Sequence, residues 1–232
     1  MALVPGIYLQ ECVHRAFLVD DRPLVRGSSV TLDKTTRSPL PAPSARVPEG
    51  TVVVRLTQGM TYVTADDPRG SRCLPAEVKA SQPADAAWAS STIAVGMAGS
   101  GALGLAVPLD PQATTTPDVV DQLNRHPLFA AHFVADDQAG LVCVRTREPG
   151  AHKVLHVEST LPAAFGPLGT AAHGTDAEYR VTDDAADLRD LTGQPIEGLV
   201  PTLAVGHFVE AALLSLTPEA RAVLSRRGSL FR

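Results

Sequence analysis

The first candidate for a functional site in the sequence is a run of closely spaced glycines. The run from Gly99 to Gly104 matches GxGxxG, the pattern that sets free helix amides against a dinucleotide pyrophosphate. That site needs a helix to begin at the last glycine. Pro108 and Pro111 follow too closely for a helix to pass its second turn. We therefore predict a glycine-rich hairpin turn and no cofactor site.

Two histidine pairs have spacings that can suit a metal ion. His152 and His156 are four residues apart, which on a helix would place both on one face. The segment Lys153–Val157 has the composition of a strand, however, and along a strand four residues span about 13 Å, too far for one shared ion. His126 and His132 flank a proline, and their relative orientation is not fixed by sequence. We predict no metal site.

The remaining catalytic patterns are incomplete. Ser100 lies between two glycines, but Ala98 stands where the nucleophile elbow GxSxG requires a further glycine. A group of acidic residues favours a solvated turn and helix start over a cation site, and it comprises Asp183, Asp184, Asp187 and Asp190. The sequence thus predicts no catalytic, cofactor-binding or metal-binding residue, and a protein that is not an enzyme. A small hydrolase using Asp and His residues stays as an alternative.

Composition limits the fold class and the kinds of function further. Aromatic residues make up 4% of the 232 residues, while 18 Gly and 19 Pro interrupt the chain often, which favours short strands and an aliphatic core. The net charge of −5 argues against a nucleic-acid surface. The sequence contains no apolar run of the ~18–20 residues that a membrane span needs, and no signal peptide is visible. The scarcity of aromatic platforms also argues against a carbohydrate-binding module, which we considered.

The three cysteines are far apart in the sequence. Cys12, Cys73 and Cys143 form no CxxC pair and no paired framework, so neither zinc nor a disulfide scaffold is predicted. Cys143 lies in an apolar run and is expected to be a small buried hydrophobe. This cysteine usage suits a reducing cytoplasm.

The chain divides into four predicted segments. Residues 1–46 form an extended N-terminal arm. Its net charge is +2, because it contains six Lys or Arg residues and four Asp or Glu residues. Four closely spaced prolines stiffen residues 37–48. Residues 47–112 form a small β-barrel or sandwich, 113–160 an inserted helix followed by three strands, and 161–232 a β/α segment that ends in a helix. The fold class is therefore mainly β with minor α.

Several elements have clear local signals. Residues 51–64 read as a β-hairpin around Gln58-Gly59. A helix is expected from Thr116 to about Asn124–His126, and strands at 131–135, 141–146 and 153–157. Residues 163–175 are expected to form a loop. The clearest helix runs from Thr217, a capping residue, to Arg227 before Gly228.

Two stretches are similar to phage virion proteins. Val47-Pro-Glu-Gly-Thr-Val-Val-Val-Arg-Leu-Thr-Gln-Gly-Met-Thr-Tyr-Val63, preceded by a proline-rich extended arm, resembles the opening hairpin of tailed-phage head decoration (capsid cement) proteins. The residues from Thr116 to Val157 resemble a helix-and-strands module of phage tail sheath and tube subunits. The resemblance implies a capsid decoration subunit without catalysis, located in the virion and assembled in the host cytoplasm.

The resemblance also implies the partners. They would be the major capsid protein or neighbouring virion subunits, bound by a symmetric homo-oligomer such as a trimer, with no membrane and no direct nucleic-acid contact. The expected contact elements are the arm, Pro5–Pro48, and the terminal helix, Thr217–Arg227. On this view, deleting residues 1–46 abolishes capsid binding and leaves the body folded. The alternative is a tail or neck subunit: tube, sheath, adaptor or baseplate.

Overall fold

Short β-strands form most of the ordered structure. The computed structural model describes residues 16–19, 24–41, 45–98, 103–161, 164–166 and 169–232. The strands are β1 (Val25–Arg26), β2 (Val30–Leu32), β3 (Arg46–Val47), β4 (Val52–Arg55), β5 (Tyr62–Thr64), β6 (Glu77–Lys79), β7 (Thr92–Ala98), β8 (Leu103–Pro108), β9 (Phe133–Gln138), β10 (Leu141–Thr146), β11 (Val154–Ser159), β12 (Thr170–His173), β13 (Tyr179–Thr182), β14 (Ala186–Asp187), β15 (Gly198–Val200), β16 (Thr202–Val205), β17 (His207–Phe208) and β18 (Leu230–Phe231). The helices are α1 (Thr116–Arg125), α2 (Pro127–His132) and α3 (Pro218–Arg226).

The predicted fold class is confirmed, since the protein is mainly β with minor α. Within the described ranges the sheets do not close into a barrel. None of the described helices has the length and apolar character needed to cross a membrane.

The chain folds into two units whose boundaries differ from the predicted ones. A terminal unit comprises Met1–Gly70 and Glu178–Arg232, and a central unit comprises Ser71–Ala177. The predicted segment 47–112 is therefore divided, with β4 and β5 in the terminal unit and β7 and β8 in the central unit. The physical reason is strand pairing between distant segments: β4 pairs with β13, and β7 pairs with β11.

The terminal unit is organised around a seven-stranded sheet with the order β1-β16-β13-β4-β5-β2-β15. The predicted hairpin at 51–64 is confirmed, because β4 and β5 pair antiparallel. Two further strand pairs, β3 with β14 and the parallel β17 with β18, belong to the same unit. Aliphatic residues from β2, β4 and β15 form a buried cluster that includes Leu32, Val53 and Val200.

The described part of the predicted arm is extended, but it is not separate from the body. β2 pairs antiparallel with β15 and parallel with β5, and Leu32 is completely buried. Phe17 is also buried, and it lies so close to Gly50 that a Cβ atom added there would be 2.9 Å from Cγ of Phe17. Gly50 also has a φ of 73°, which favours glycine. Burial of these apolar side chains makes the described stretches 16–19 and 24–41 part of the terminal unit. Residues 1–15, 20–23 and 42–44 lie outside the described residues.

The central unit contains two sheets and two helices. One sheet has the order β6-β10-β9 and the other the order β12-β11-β7-β8. Their apolar faces and α1 share one core, in which the largest buried side chains are Trp88, Phe129, Phe133 and Phe165. Cys143 is buried in β10, as predicted, and burial raises the pKa of its thiol to about 12.

The helix boundaries follow the local capping signals. α1 begins one residue after Thr115, which forms a capping box with Asp118, so the cap lies one residue before the expected Thr116. α1 ends at Arg125, as predicted. The Thr217 hydroxyl caps α3 by accepting from the Ala220 amide at 3.1 Å, and Gly228 takes the expected left-handed conformation, with φ of 101°.

Two predicted elements are wrong in detail. The strand expected at 131–135 begins at Phe133, because His126 accepts a hydrogen bond from the Phe129 amide and starts the short helix α2. The loop expected at 163–175 contains β12, which pairs with β11. The first error arises from a local cap three residues from Phe129, and the second from pairing with a neighbouring strand.

Candidate docking groove

The residues proposed for chemistry do not converge. Within the described ranges, no group of three or more His, Cys, Asp or Glu side chains is arranged to hold a metal ion. His156 lies in β11, in an extended segment as expected, and its Nδ1 is 3.4 Å from Glu158 Oε1. β7 and β8 pair as an antiparallel hairpin around the glycine pattern, and Gly104 lies inside a strand. Residues 99–102 of the pattern lie outside the described residues.

The acidic cluster does not form a single solvated turn. Asp190 does lie in an exposed turn, where one of its carboxylate oxygens accepts from the Thr192 amide at 2.8 Å, the Thr192 hydroxyl at 2.7 Å and the Gln194 amide at 2.8 Å. Hydrogen bonding by Thr192 lowers the pKa of Asp190. Asp183 is buried, however, and Asp187 lies in the strand β14. The expected solvated turn therefore describes Asp190 but not Asp183, and the expected helix start is wrong.

The terminal unit contains an open groove that is lined by described residues. Its volume is about 720 Å³. One wall is the segment after β2, with Lys34, Arg37 and Leu40, and the other is the segment after β14, with Arg189 and Pro195. The two walls come from positions about 150 residues apart in the sequence, so tertiary structure alone creates the groove.

The first wall begins with a turn that is fixed by hydrogen bonds. The Thr35 amide donates to Asp33 Oδ1 at 2.9 Å, and the Thr36 amide donates to the Asp33 carbonyl at 2.9 Å. The Asp33 amide and the Thr36 hydroxyl both donate to the Tyr62 carbonyl, at 2.9 and 3.3 Å. The turn is therefore anchored to β5, and these bonds fix the backbone at Lys34, which lies within the turn.

Arg69 clamps the same turn from a second loop. Its Nε and Nη2 donate to the two oxygens of Asp67 at 3.0 and 2.7 Å, a bidentate pair. Its Nη1 donates to the Thr35 hydroxyl at 2.5 Å and lies 3.7 Å from Asp33 Oδ1. Hydrogen bonding by Arg69 lowers the pKa of Asp67, and hydrogen bonding by Thr35 lowers the pKa of Asp33. Both carboxylates are therefore kept charged and committed to the loop.

The proline-rich part of the wall is also held in place. The Ser38 hydroxyl donates to the Arg46 carbonyl at 2.6 Å and accepts from the Leu40 amide at 3.1 Å. These bonds fix the segment that follows Arg37. Leu40 is 39% exposed, so an apolar side chain stands beside the basic ones.

The groove is positively charged. Lys34, Arg37 and Arg189 all line it and are exposed, and none of the described lining residues is acidic. Beyond the groove, Leu191 at the tip of the Asp190 turn is fully exposed and Ile196 is 39% exposed. Cationic donors beside exposed apolar side chains are suited to hold an acidic segment that carries apolar residues.

Sequence reasoning did not locate this groove. It expected the arm, which contains Lys34 and Arg37, to be a contact element, but it named neither residue and nothing in the sequence placed Arg189 beside them. The other predicted contact element, α3, turns Ala220, Val223 and Leu224 into the protein, and its exposed positions include Arg221 and Arg226. The packed face of α3 is thus committed to the fold.

Comparison with known proteins does not identify a family for this chain. No family model matches the sequence, and no curated protein matches it. Among solved structures, the chain is similar to the D2–D3 domains of the flagellar cap protein FliD from Serratia marcescens, with 13% sequence identity and a TM-score of 0.38. The match covers 76% of this chain and 92% of that chain. At this TM-score the likeness carries no argument about fold or function.

Proposed function

We propose that the protein is a structural subunit of a tailed-phage virion, a capsid decoration subunit that binds the major capsid protein and has no catalytic role. The observation that carries the proposal is the basic groove beside exposed apolar residues, because it is a surface for docking a protein segment. The resemblance of residues 47–63 to the opening hairpin of decoration proteins supports the same assignment. The resulting location is the virion, with assembly in the host cytoplasm.

The groove would act through charge and rigidity. Lys34, Arg37 and Arg189 would pair with carboxylates of a capsid segment, and Leu40 with Pro195 would contact its apolar side chains. The hydrogen bonds of Ser38 and the clamp by Arg69 hold the wall before binding, so little conformational entropy is lost on docking. Each contact is weak, and repetition over a symmetric shell would supply the avidity.

A tail or neck subunit is the second candidate. It is supported by the module from α1 to β11, whose sequence resembles a module of tail sheath and tube subunits. This alternative requires the same kind of subunit contacts but a different position in the particle.

Immunogold electron microscopy can test the assignment and separate the two positions. An antibody against the protein would be applied to virions purified from the phage whose genome carries the gene. Gold on the heads is the expected result, and gold on the tail or neck would select the second candidate. Particles without gold, from a lysate that contains the protein, would overturn the virion assignment.

Binding to purified heads tests the groove itself. The double variant Lys34→Gln with Arg37→Gln removes two exposed positive charges from the groove, and we expect binding at least about 10-fold weaker, with a reduced dependence on salt. The matched control is Lys79→Gln with Arg125→Gln, two exposed cations of the central unit. Equal losses in both double variants would show that general charge, and not the groove, drives binding.

A further inference from the structure

The edge strands of the central unit differ in charge. β6 and β9 flank the three-stranded sheet, and both carry ionisable residues, namely Glu77, Lys79, Asp136 and Asp137. Such charges on edge strands oppose pairing with another chain. β8 is an edge of the four-stranded sheet and reads Leu-Gly-Leu-Ala-Val-Pro, without any ionisable residue. β12, the other edge of that sheet, carries His173. Among these four edge strands, β8 is therefore the one without an ionisable residue.

The backbone groups that point outward from β8 can be assigned from the register. β7 and β8 pair continuously from Thr92 opposite Pro108, and the Leu109 amide donates to the Ser91 carbonyl at 2.8 Å. In an antiparallel ladder, bonded pairs alternate with non-bonded pairs. Val107 and Leu105 therefore bond to β7, whereas the amide and carbonyl groups of Gly104 and Ala106 face away from it.

The side chains of β8 leave this edge accessible. Val107 is buried and Leu105 is partly buried against the core of the central unit, while Gly104 and Ala106 are exposed on the opposite face. Even a Cβ atom added at Gly104 would meet nothing within 4 Å. Among the described residues, no strand pairs with β8 on the side away from β7. The helix α2 packs against β8, and its buried Phe129 belongs to the same core as Val107. The outward backbone groups of β8 lie on Gly104 and Ala106, which are both exposed.

We propose that β8 pairs antiparallel with β8 of a second copy of the chain, around a two-fold axis at Leu105. In that register the outward groups of Gly104 in each copy exchange hydrogen bonds with those of Ala106 in the other. The strand is uncharged, so self-pairing brings no like charges together. Pro108 has no amide hydrogen and ends the ladder, and the two-fold pairing uses the outward groups of both copies, which closes the interface.

This inference deepens the proposed assembly role and rests on it for its purpose. It replaces a general expectation of a homo-oligomer with a symmetric dimer contact at a named strand. The contact is small and is expected to be weak in isolation. Its strength in a particle would come from repetition, as for the groove.

Residue-resolved hydrogen exchange tests the pairing on the unmodified protein. In dilute samples the amides of Gly104 and Ala106 should exchange quickly, while those of Leu105 and Val107 in the same strand stay protected by β7. Raising the concentration from about 10 μM to about 1 mM should protect Gly104 and Ala106 at least about 10-fold more. Exchange at Gly104 and Ala106 that is independent of concentration would overturn the proposal.

A pair of variants gives a second test. Ala106→Pro removes an outward amide without removing a bond to β7, and sedimentation should show one chain mass at concentrations where the parent shows two. Ala106→Ser keeps the amide and should remain a dimer. A dimer that persists in a folded Ala106→Pro variant, or a parent that is monomeric throughout, would overturn the pairing.

The two proposals fail separately. If the parent protein stays monomeric but its antibody places gold on virions, the strand pairing alone is overturned. If the protein forms a concentration-dependent dimer through β8 but its antibody places no gold on virions, the virion assignment alone is overturned.

Discussion

The two units differ in the distance along the chain between the strands that they pair. In the central unit, β7 with β8 and β9 with β10 are hairpins between neighbouring strands. In the terminal unit, β13 pairs with β4 and β15 with β2, which joins the two ends of the chain. The central unit is therefore one continuous piece of chain, whereas the terminal unit needs both pieces at once.

This difference affects what each unit can lose. Removing either end of the chain removes strands from the middle of the terminal sheet, because β2 lies between β5 and β15 and β16 lies between β1 and β13. The central unit keeps all of its described strands after such a cut. The docking groove belongs to the unit that depends on both ends, and the β8 edge belongs to the unit that does not.

The largest effect that would test this comparison is expected on deleting residues 1–46. The deletion removes Phe17, Val30 and Leu32 from the core, and about 2 kcal/mol per buried side chain amounts to much of the roughly 5–15 kcal/mol that holds a domain folded. We expect the terminal unit to unfold and the central unit to remain folded, which differs from the sequence-based prediction of an intact body.

Hydrogen exchange of peptides from both units measures this outcome. Peptides from β4 and β13 should lose protection in the truncated protein, and peptides from β7 and β11 should keep it. Unchanged protection of β4 would restore the view of residues 1–46 as a separate arm. Loss of protection everywhere would show that the two units fold as one.

A core substitution gives a smaller effect that is confined to one unit. Leu155 is completely buried in the central unit, and Leu155→Ala should destabilise that unit by about 3 kcal/mol through lost contacts and a cavity. Leu203→Ala is the matched variant of the terminal unit, since Leu203 is also completely buried.

Trp88 makes the two variants distinguishable. It is the sole tryptophan of the chain and is buried in the central unit, so its fluorescence reports denaturation of that unit. Leu155→Ala should shift the fluorescence transition to lower denaturant, and Leu203→Ala should leave it unchanged. Equal shifts in both variants would contradict independent units.

The smallest expected effect is on the stability of the terminal unit at low pH. Asp33 and Asp67 in the terminal unit have lowered pKa values in the folded protein, through hydrogen bonds from Thr35 and Arg69. Their contribution to stability is thus present above the unfolded Asp pKa of about 3.9 and is lost as pH falls through the lower folded pKa. Because Arg69 is 44% exposed, we expect at most about 1 kcal/mol.

Arg69→Gln isolates that contribution. The variant should be less stable than the parent by about 0.5–1 kcal/mol at pH 7, and the difference should shrink as the pH falls below about 4. Urea denaturation followed by circular dichroism at several pH values measures it. A difference that is constant with pH would mean that Arg69 acts through packing instead of charge.

Several features of the molecule were predictable because their causes are local. Thr217 and Gly228 fixed the ends of α3, since a capping hydroxyl and a left-handed glycine act within one turn of the helix. The hairpin of β4 and β5 follows from two β-branched runs around a glycine turn. That no helix begins at Gly104 was also predictable, because Pro108 and Pro111 follow it closely, and Gly104 lies in β8.

Other features depend on partners that lie far along the chain. The unit boundaries at Gly70 and Glu178 are set by pairing between β4 and β13, and no local signal marks that choice. The strand β12 arises in a stretch with loop-like composition because β11 offers it an edge. Likewise, residues 24–41 were expected to form an arm because their burial depends on strands that come much later.

By itself, the sequence determined the class of the protein: mainly β, aliphatic in its core, with short strands and helices delimited by caps. These properties follow from composition and from interactions within a few residues. Tertiary structure decided which strands pair, which residues of the first segment become core, and that Arg189 lies across a groove from Lys34 and Arg37. The physical reason is that a strand has two edges open to any partner, and burial of apolar area over the whole unit selects among them.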